Sequence, residues 1–134
     1  MEIRTIKASQ TWNIRHEVMW PVQPFEFVQL DEDDSGLHFG VFIEEELVSI
    51  VSCFIDRDEM QFRKLATLED YQGRGIASEL LHFILKLAKE KGLKKVWCNA
   101  RRDKKSFYEK FGMSDTYKIF TKSGKIFTIM EILF

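Results

Sequence analysis

Two glycines open the chemistry of this chain. Gly73 and Gly75 flank Arg74 in the run Tyr71-Gln72-Gly73-Arg74-Gly75, which lies between an apolar strand-like segment and a long helical pattern. Backbone N–H groups at a helix start have no intrahelical acceptors, and the helix dipole adds partial positive charge there. Glycine lets that backbone come close to an anion. A strand, a glycine turn and a helix together can therefore cradle a phosphate. The dinucleotide fingerprint needs a third glycine where this chain has Ser78, and an acid ~20 residues further on where it has Lys95. The P-loop pattern with its Gly-Lys-Ser/Thr ending is absent. On the turn alone, a tight bend that binds nothing reads as well as an anion site.

Other reactive side chains are scattered. Tyr108 sits between Phe107 and Glu109, as a core aromatic or as a proton donor. Glu69 and Asp70 precede the glycine turn, and Glu17 lies in the first helical pattern. Any of them, or a water chain, could take a proton, and none is singled out. Cys98 beside Asn99 has no Cys-His spacing to make it a nucleophile, and a free strand cysteine is more often core. His16, His38 and His82 read as surface or satisfied residues. Cys53 and Cys98 form no CxxC pair and the histidines are far apart, so no metal site is expected.

The elements that must position these residues follow from periodicity. Glu2 to Lys7 reads as a short strand. Ser9 can cap a helix running to about Trp20, stopped by Pro21 and Pro24. Asp31 to Gly36 reads as a solvated loop. Leu37 to Ile43 and Leu47 to Ile55 form a hairpin around three glutamates, an unusual turn without glycine. Met60 to Leu68 is a third strand. Ile76, Ala77, Leu80, Leu81, Ile84, Leu87 and Ala88 recur at helical spacing, and Gly92 closes the helix. Lys95 to Ala100 is a strand, Asp103 can cap a helix to about Phe111, and strands follow around Thr116 to Thr121 and Ile126 to Phe134. The expected fold is α/β (α+β): one mixed, mainly antiparallel sheet with helices on both faces.

With 134 residues, one domain over 1–134 is expected. The 45% hydrophobic and 31% charged content excludes disorder as the main state. No apolar run reaches the ~18 residues of a membrane helix, and MEIRTIKASQ has no apolar signal core. A cytoplasmic, reducing location is expected. Residues 1–67 hold 6 Lys/Arg against 13 Asp/Glu, a net of −7, whereas residues 68–134 hold 14 against 8, a net of +6. Anions are drawn to the second part and cations to the first. The sequence pI is about 6.3 and no basic-aromatic motif occurs, so nucleic acid is not an expected partner.

Gln72-Gly73-Arg74-Gly75-Ile76-Ala77 resembles the Q/R-x-x-G-x-G/A motif of the GNAT superfamily of acyl-CoA-dependent N-acyltransferases. Phe107-Tyr108-Glu109-Lys110-Phe111-Gly112-Met113 resembles its F-Y-E-K-x-G-F segment, with Met in the last place. The element order is also similar, over essentially the whole chain. Arg63 to Thr67, Trp97 to Arg101 and Met19-Trp20-Pro21 resemble a group of small bacterial members of unassigned substrate. Lys64 departs from that group, which usually has Gly there.

The resemblance implies an enzyme that moves an acetyl group from acetyl-CoA to a primary amine by direct attack in a ternary complex. The alternative is a non-catalytic CoA-binding or sensor domain on the same fold. It implies that the N–H groups of Gly73, Arg74, Gly75, Ile76 and Ala77 hold the pyrophosphate, with Gln72 starting the turn. The backbone of Leu65, Ala66 and Thr67 holds the pantetheine arm and the acyl carbonyl, and supplies an oxyanion donor. Tyr108 protonates the departing thiolate. The partners implied are acetyl-CoA and an amine acceptor, with no nucleic acid and no membrane, in a monomer or homodimer. Charge placement adds that a cationic amine suits the acceptor better than an acidic compound.

Overall fold

The computed structural model describes all residues, 1–134. Seven strands form one mixed sheet in the order β1-β2-β3-β4-β5-β7-β6. They are β1 (Glu2–Ile6), β2 (Leu37–Ile43), β3 (Glu46–Asp56), β4 (Glu59–Thr67), β5 (Lys95–Arg101), β6 (Ser114–Lys122) and β7 (Lys125–Leu133). The helices are α1 (Trp12–Ile14), α2 (Ile76–Glu90) and α3 (Lys105–Glu109). The chain divides into two compact units, Met1–Phe54 with Phe62–Ile84, and Ile55–Gln61 with Leu85–Phe134.

In the first unit, β1 and β2 pair antiparallel from Glu2↔Phe42 to Ile6↔His38, and β2 pairs β3 from Leu37↔Cys53 to Ile43↔Glu46. The glutamate turn of that hairpin works because Glu44 and Glu45 both take left-handed φ values, 49° and 67°. Two left-handed residues match the strands' twist in a two-residue turn. Arg4 pairs with Glu45 at 2.9 Å, which offsets part of the acid crowding. Ile6, Ile14, Ile50 and Ala66 form a buried core against which Val18, Met19, Phe42, Leu47 and Leu68 pack.

The first helical segment differs from a single helix capped by Ser9. Ala8–Thr11 is a 3-10 turn, α1 follows, and Arg15–Met19 is π-helical. Gln10 Oε1, not a Ser9 cap, accepts the Lys7 N–H at 2.8 Å. Arg15 is fully buried and donates to both Asp33 carboxylate oxygens (2.9 and 3.0 Å), to Val28 O and to Ser52 Oγ. Asp33, read from sequence as part of a solvated acidic loop, is 4% exposed. A charge deep in the fold needs a hydrogen-bonded partner, and Asp33 is the one Arg15 reaches.

In the second unit, β4 and β5 pair in parallel from Glu59↔Lys95 to Gln61↔Trp97. Antiparallel β7 pairs with β5 from Lys95↔Leu133 to Arg101↔Phe127, and with β6. Val96, Cys98, Met113 and Met130 are buried there. Helix α2, which begins in the first unit, ends in the second on Gly92 at φ 74°. Leu93 N–H donates to Ala88 O and Gly92 N–H to Lys89 O, both at 3.0 Å, the paired bonds of a glycine C-terminal cap. Asp103 does not cap α3; it lies in a 3-10 turn, Arg102–Lys104, that leads into the helix.

Candidate active site

The glycine turn is built from the end of β4. Ser49 on β3, fully buried, donates to Ala66 O at 3.0 Å and shares a 2.8 Å hydrogen bond with Thr67 Oγ1. Leu68 N–H donates to Val48 O at 2.9 Å. These bonds hold the backbone of Ala66 and Thr67, residues that are themselves 6% and 7% exposed. A 3-10 turn, Glu69–Tyr71, then leads away from the strand. Gln72 reaches back, donating from Nε2 to Thr67 O at 2.9 Å. The loop is thus closed on itself before the glycines begin.

Gly73 and Gly75 have φ values of 76° and 79°, a region that strains L-residues by about 1–2 kcal/mol. A Cβ placed on either would meet nothing within 4 Å, so the turn faces open space. The first hydrogen bond of α2 is Glu79 N–H to Gly75 O at 3.1 Å. The N–H groups of Ile76, Ala77 and Ser78 therefore have no intrahelical acceptor. A 15-residue helix behind them adds its dipole. Open space, oriented donors and partial positive charge suit a bound anion such as a phosphate group.

The Arg74 guanidinium lies 5.0 Å from the centre of the Tyr71 ring, and Tyr71 donates to Glu46 Oε1 at 2.8 Å. That hydrogen bond, above all, holds the Tyr71 phenol above its ordinary range. Glu69 and Asp70 are exposed on the 3-10 turn, and Glu17 is exposed on the π-helical turn. Lys64, one residue before the Leu65–Thr67 segment, takes φ 60° inside a strand. A residue without Cβ would adopt that conformation freely. Ser49 did not stand out in the sequence, since a buried serine carries no periodic signature.

Tyr108 belongs to the second unit, on α3. It is half-buried, with Phe107 edge-on at 5.2 Å. Gly112 at φ 88° ends the helix, with Phe111 N–H bonded to Tyr108 O at 3.0 Å. Burial, and then the neighbouring Cys98, push the Tyr108 phenol well above its ordinary value. It stays a protonated donor across the neutral range. Cys98 is 2% exposed, and burial pushes its thiol up to about 12. A thiol held neutral in this way is not a nucleophile at pH 7. His16 Nε2 is bonded to Gln23 O at 2.7 Å, and His38 bridges Ser52 Oγ and Asp33 O.

Residues 5–113 match the Acetyltransferase (GNAT) family. The chain is 34% identical to the uncharacterized N-acetyltransferase YitI of Bacillus subtilis (strain 168), over 92% of this chain and 89% of that one. An IAA acetyltransferase from Bacillus cereus ATCC 14579 superposes with a TM-score of 0.80 at 16% identity, covering 99% of both chains. A GNAT family acetyltransferase from Elizabethkingia anophelis with acetyl-CoA bound also superposes at 0.80 and 16%, covering 99% of this chain and 97% of its own. At these identities the two structures speak for the fold.

Proposed function

The chain belongs to the GNAT family of N-acetyltransferases, which makes acetyl-CoA its acyl donor, and we propose that it passes the acetyl group to a primary amine, on a small molecule or a peptide, by direct attack in a ternary complex. Acetyl-CoA supplies an acetyl thioester, an acyl group already activated toward nitrogen. The observation that carries the site assignment is the pair of left-handed glycines opening onto free space at the start of α2. In this reading the N–H groups of Gly73, Arg74, Gly75, Ile76 and Ala77 hold the pyrophosphate. Gln72 keeps the loop in place through Thr67 O.

The backbone of Leu65, Ala66 and Thr67 holds the pantetheine arm, and one N–H of Leu65 or Ala66 faces the developing oxyanion. A donor fixed in advance at that point is worth roughly 3 kcal/mol of transition-state stabilisation. Ser49 supports the reading, because its two hydrogen bonds restrain the strand end that must stay put. Tyr108 gives its proton to the departing thiolate. Its burial supports this role, since a phenol kept neutral retains the proton it must deliver.

All of residues 1–134 serve as one acetyltransferase domain, acting as a monomer or homodimer in the cytoplasm; two free, buried cysteines suit a reducing compartment. No helix is long and apolar enough to cross a membrane. The run from His16 to Asp56 contains no Lys or Arg, which favours a cationic acceptor and disfavours nucleic acid. The test is release of free CoA thiol against a panel of primary amines. Turnover that depends on an added amine, and yields its N-acetyl product by mass, supports the reading. Thiol release that no amine accelerates overturns it.

A further inference from the structure

Strand β3 buries a hydroxyl that packing does not ask for. Ser49 lies between Val48 and Ile50, and each of these residues is fully buried. Alanine would leave no polar atom to satisfy there, whereas a buried hydroxyl costs free energy unless it is hydrogen-bonded. Ser49 has a single hydrogen to donate. It goes to Ala66 O at 3.0 Å, because a carbonyl can only accept. In the 2.8 Å contact with Thr67 Oγ1 the donor is therefore Thr67. The hydroxyls form a directed chain, from Thr67 through Ser49 to Ala66 O.

That chain acts on one peptide unit. Ala66 C=O and Thr67 N–H belong to the same planar group, and in a trans peptide they point opposite ways. Holding Ala66 O toward Ser49 therefore turns the Thr67 N–H away from β3. The next peptide unit is held at both ends: Gln72 Nε2 donates to Thr67 O, and Leu68 N–H donates to Val48 O, each at 2.9 Å. Rigid planes meet at the Thr67 Cα, and these contacts set both of them. The direction of the Thr67 N–H is fixed before any ligand arrives.

We propose that Ser49 and Thr67 are positioning residues, whose hydroxyls aim the Thr67 N–H at the pantetheine arm of acetyl-CoA. The proposal rests on the acetyl-transfer reading and adds to it side chains that lie outside the glycine motif. Each acts through the peptide between Ala66 and Thr67, not by touching the ligand. A donor held in advance loses no freedom when the ligand binds, so less of its hydrogen bond is spent on ordering the site.

The test is calorimetry of CoA binding to the full chain, which needs no acceptor. Ser49→Ala and Thr67→Val each break the hydroxyl chain, and valine keeps the branched shape of threonine. Each variant should bind CoA about tenfold more weakly, a loss of ~1.4 kcal/mol. Thr67→Ser keeps the hydroxyl and should stay within about threefold of the parent. The Ser49→Ala/Thr67→Val double variant should be no weaker than the weaker single one, since one chain is broken only once. Cys53→Ala thins the buried core on the same strand and should bind CoA as the parent does. If Ser49→Ala does not fold, the Thr67 pair decides alone. Parent-like affinity in a folded Ser49→Ala or Thr67→Val variant overturns the proposal. So does equal weakening in Thr67→Ser, an additive loss in the double variant, or an equal loss in Cys53→Ala. A parent chain that binds no CoA overturns the acetyl-transfer reading and this proposal with it, a failure told apart from the others by that one measurement.

Discussion

Gln72 donates a 2.9 Å hydrogen bond from its side chain to the backbone carbonyl of Thr67. The bond joins the end of β4 to the glycine turn across the four residues between them. Two parts of the proposed cofactor site, strand backbone and helix start, are therefore held by one side chain. The first residue of the glycine motif acts here as a clamp on the chain itself.

Replacing Gly75 by Glu puts a carboxylate where an anion is to bind, at φ 79° and in open space. Gly75→Ala carries the same backbone strain, about 1–2 kcal/mol, without the charge. CoA affinity by calorimetry should be at least ~10-fold lower in Gly75→Glu than in Gly75→Ala, as charge repulsion at a helix start requires. Equal affinities in the two variants would remove the pyrophosphate from this turn.

Tyr108→Phe keeps the ring against Phe107 and deletes the proton donor. CoA binding should persist while turnover falls by ~10² or more, the usual contribution of general-acid help. A rate within a few-fold of the parent, measured with a confirmed acceptor, assigns Tyr108 to packing and the proton to water.

Lys64 sits at φ 60° within β4. Lys64→Gly removes left-handed strain of about 1–2 kcal/mol but loosens the unfolded chain by about 0.4–1 kcal/mol. Denaturant unfolding should show it unchanged or slightly more stable. Lys64→Val should be less stable than the parent by about 1 kcal/mol, because a β-branched side chain tolerates this region worst. A Val variant as stable as the Gly variant contradicts a left-handed position 64.

Burial alone would raise the Asp33 carboxyl, but the hydrogen bonds from Arg15, Leu30 N–H and Trp12 outweigh it and hold the group below its ordinary value. A lowered native pKa gives stability that is complete above the unfolded value, near 4, and that fades as pH falls through the native value. Asp33→Asn should flatten this acid loss. It should also cost about 3–5 kcal/mol at pH 7, since it leaves Arg15 charged and unmatched inside the fold. Urea unfolding at pH 7 and pH 3 measures both.

At the alkaline end the sign reverses. Burial pushes Cys53 and Cys98 up to about 12 and raises Tyr108. Between about pH 9 and 12 the folded chain thus binds more protons than the unfolded chain, and stability falls as pH rises. Unfolding at pH 8, 9.5 and 11 under reducing conditions should show the decline, with a shallower slope in Cys98→Ala. A stability that stays level to pH 11 contradicts the buried, protonated thiols.

Local signals in the sequence were enough to mark the strands, α2 and the glycine turn. The period of Ile76, Leu80, Leu81 and Ile84, the break at Gly92 and the alternation in β4 each reflect forces acting within a few residues. The motif around Gly73 and Gly75 was legible for the same reason, because a left-handed turn favours glycine. Tertiary structure alone decided the rest. Asp33 reads as one acid in a solvated run, yet it is buried because Arg15, eighteen residues earlier, needs a counter-charge. Ser49 holds Ala66 and Thr67 from seventeen and eighteen residues away. Nothing in the local chain encodes such partners: desolvated charges and pairing registers are settled by the free energy of the whole fold.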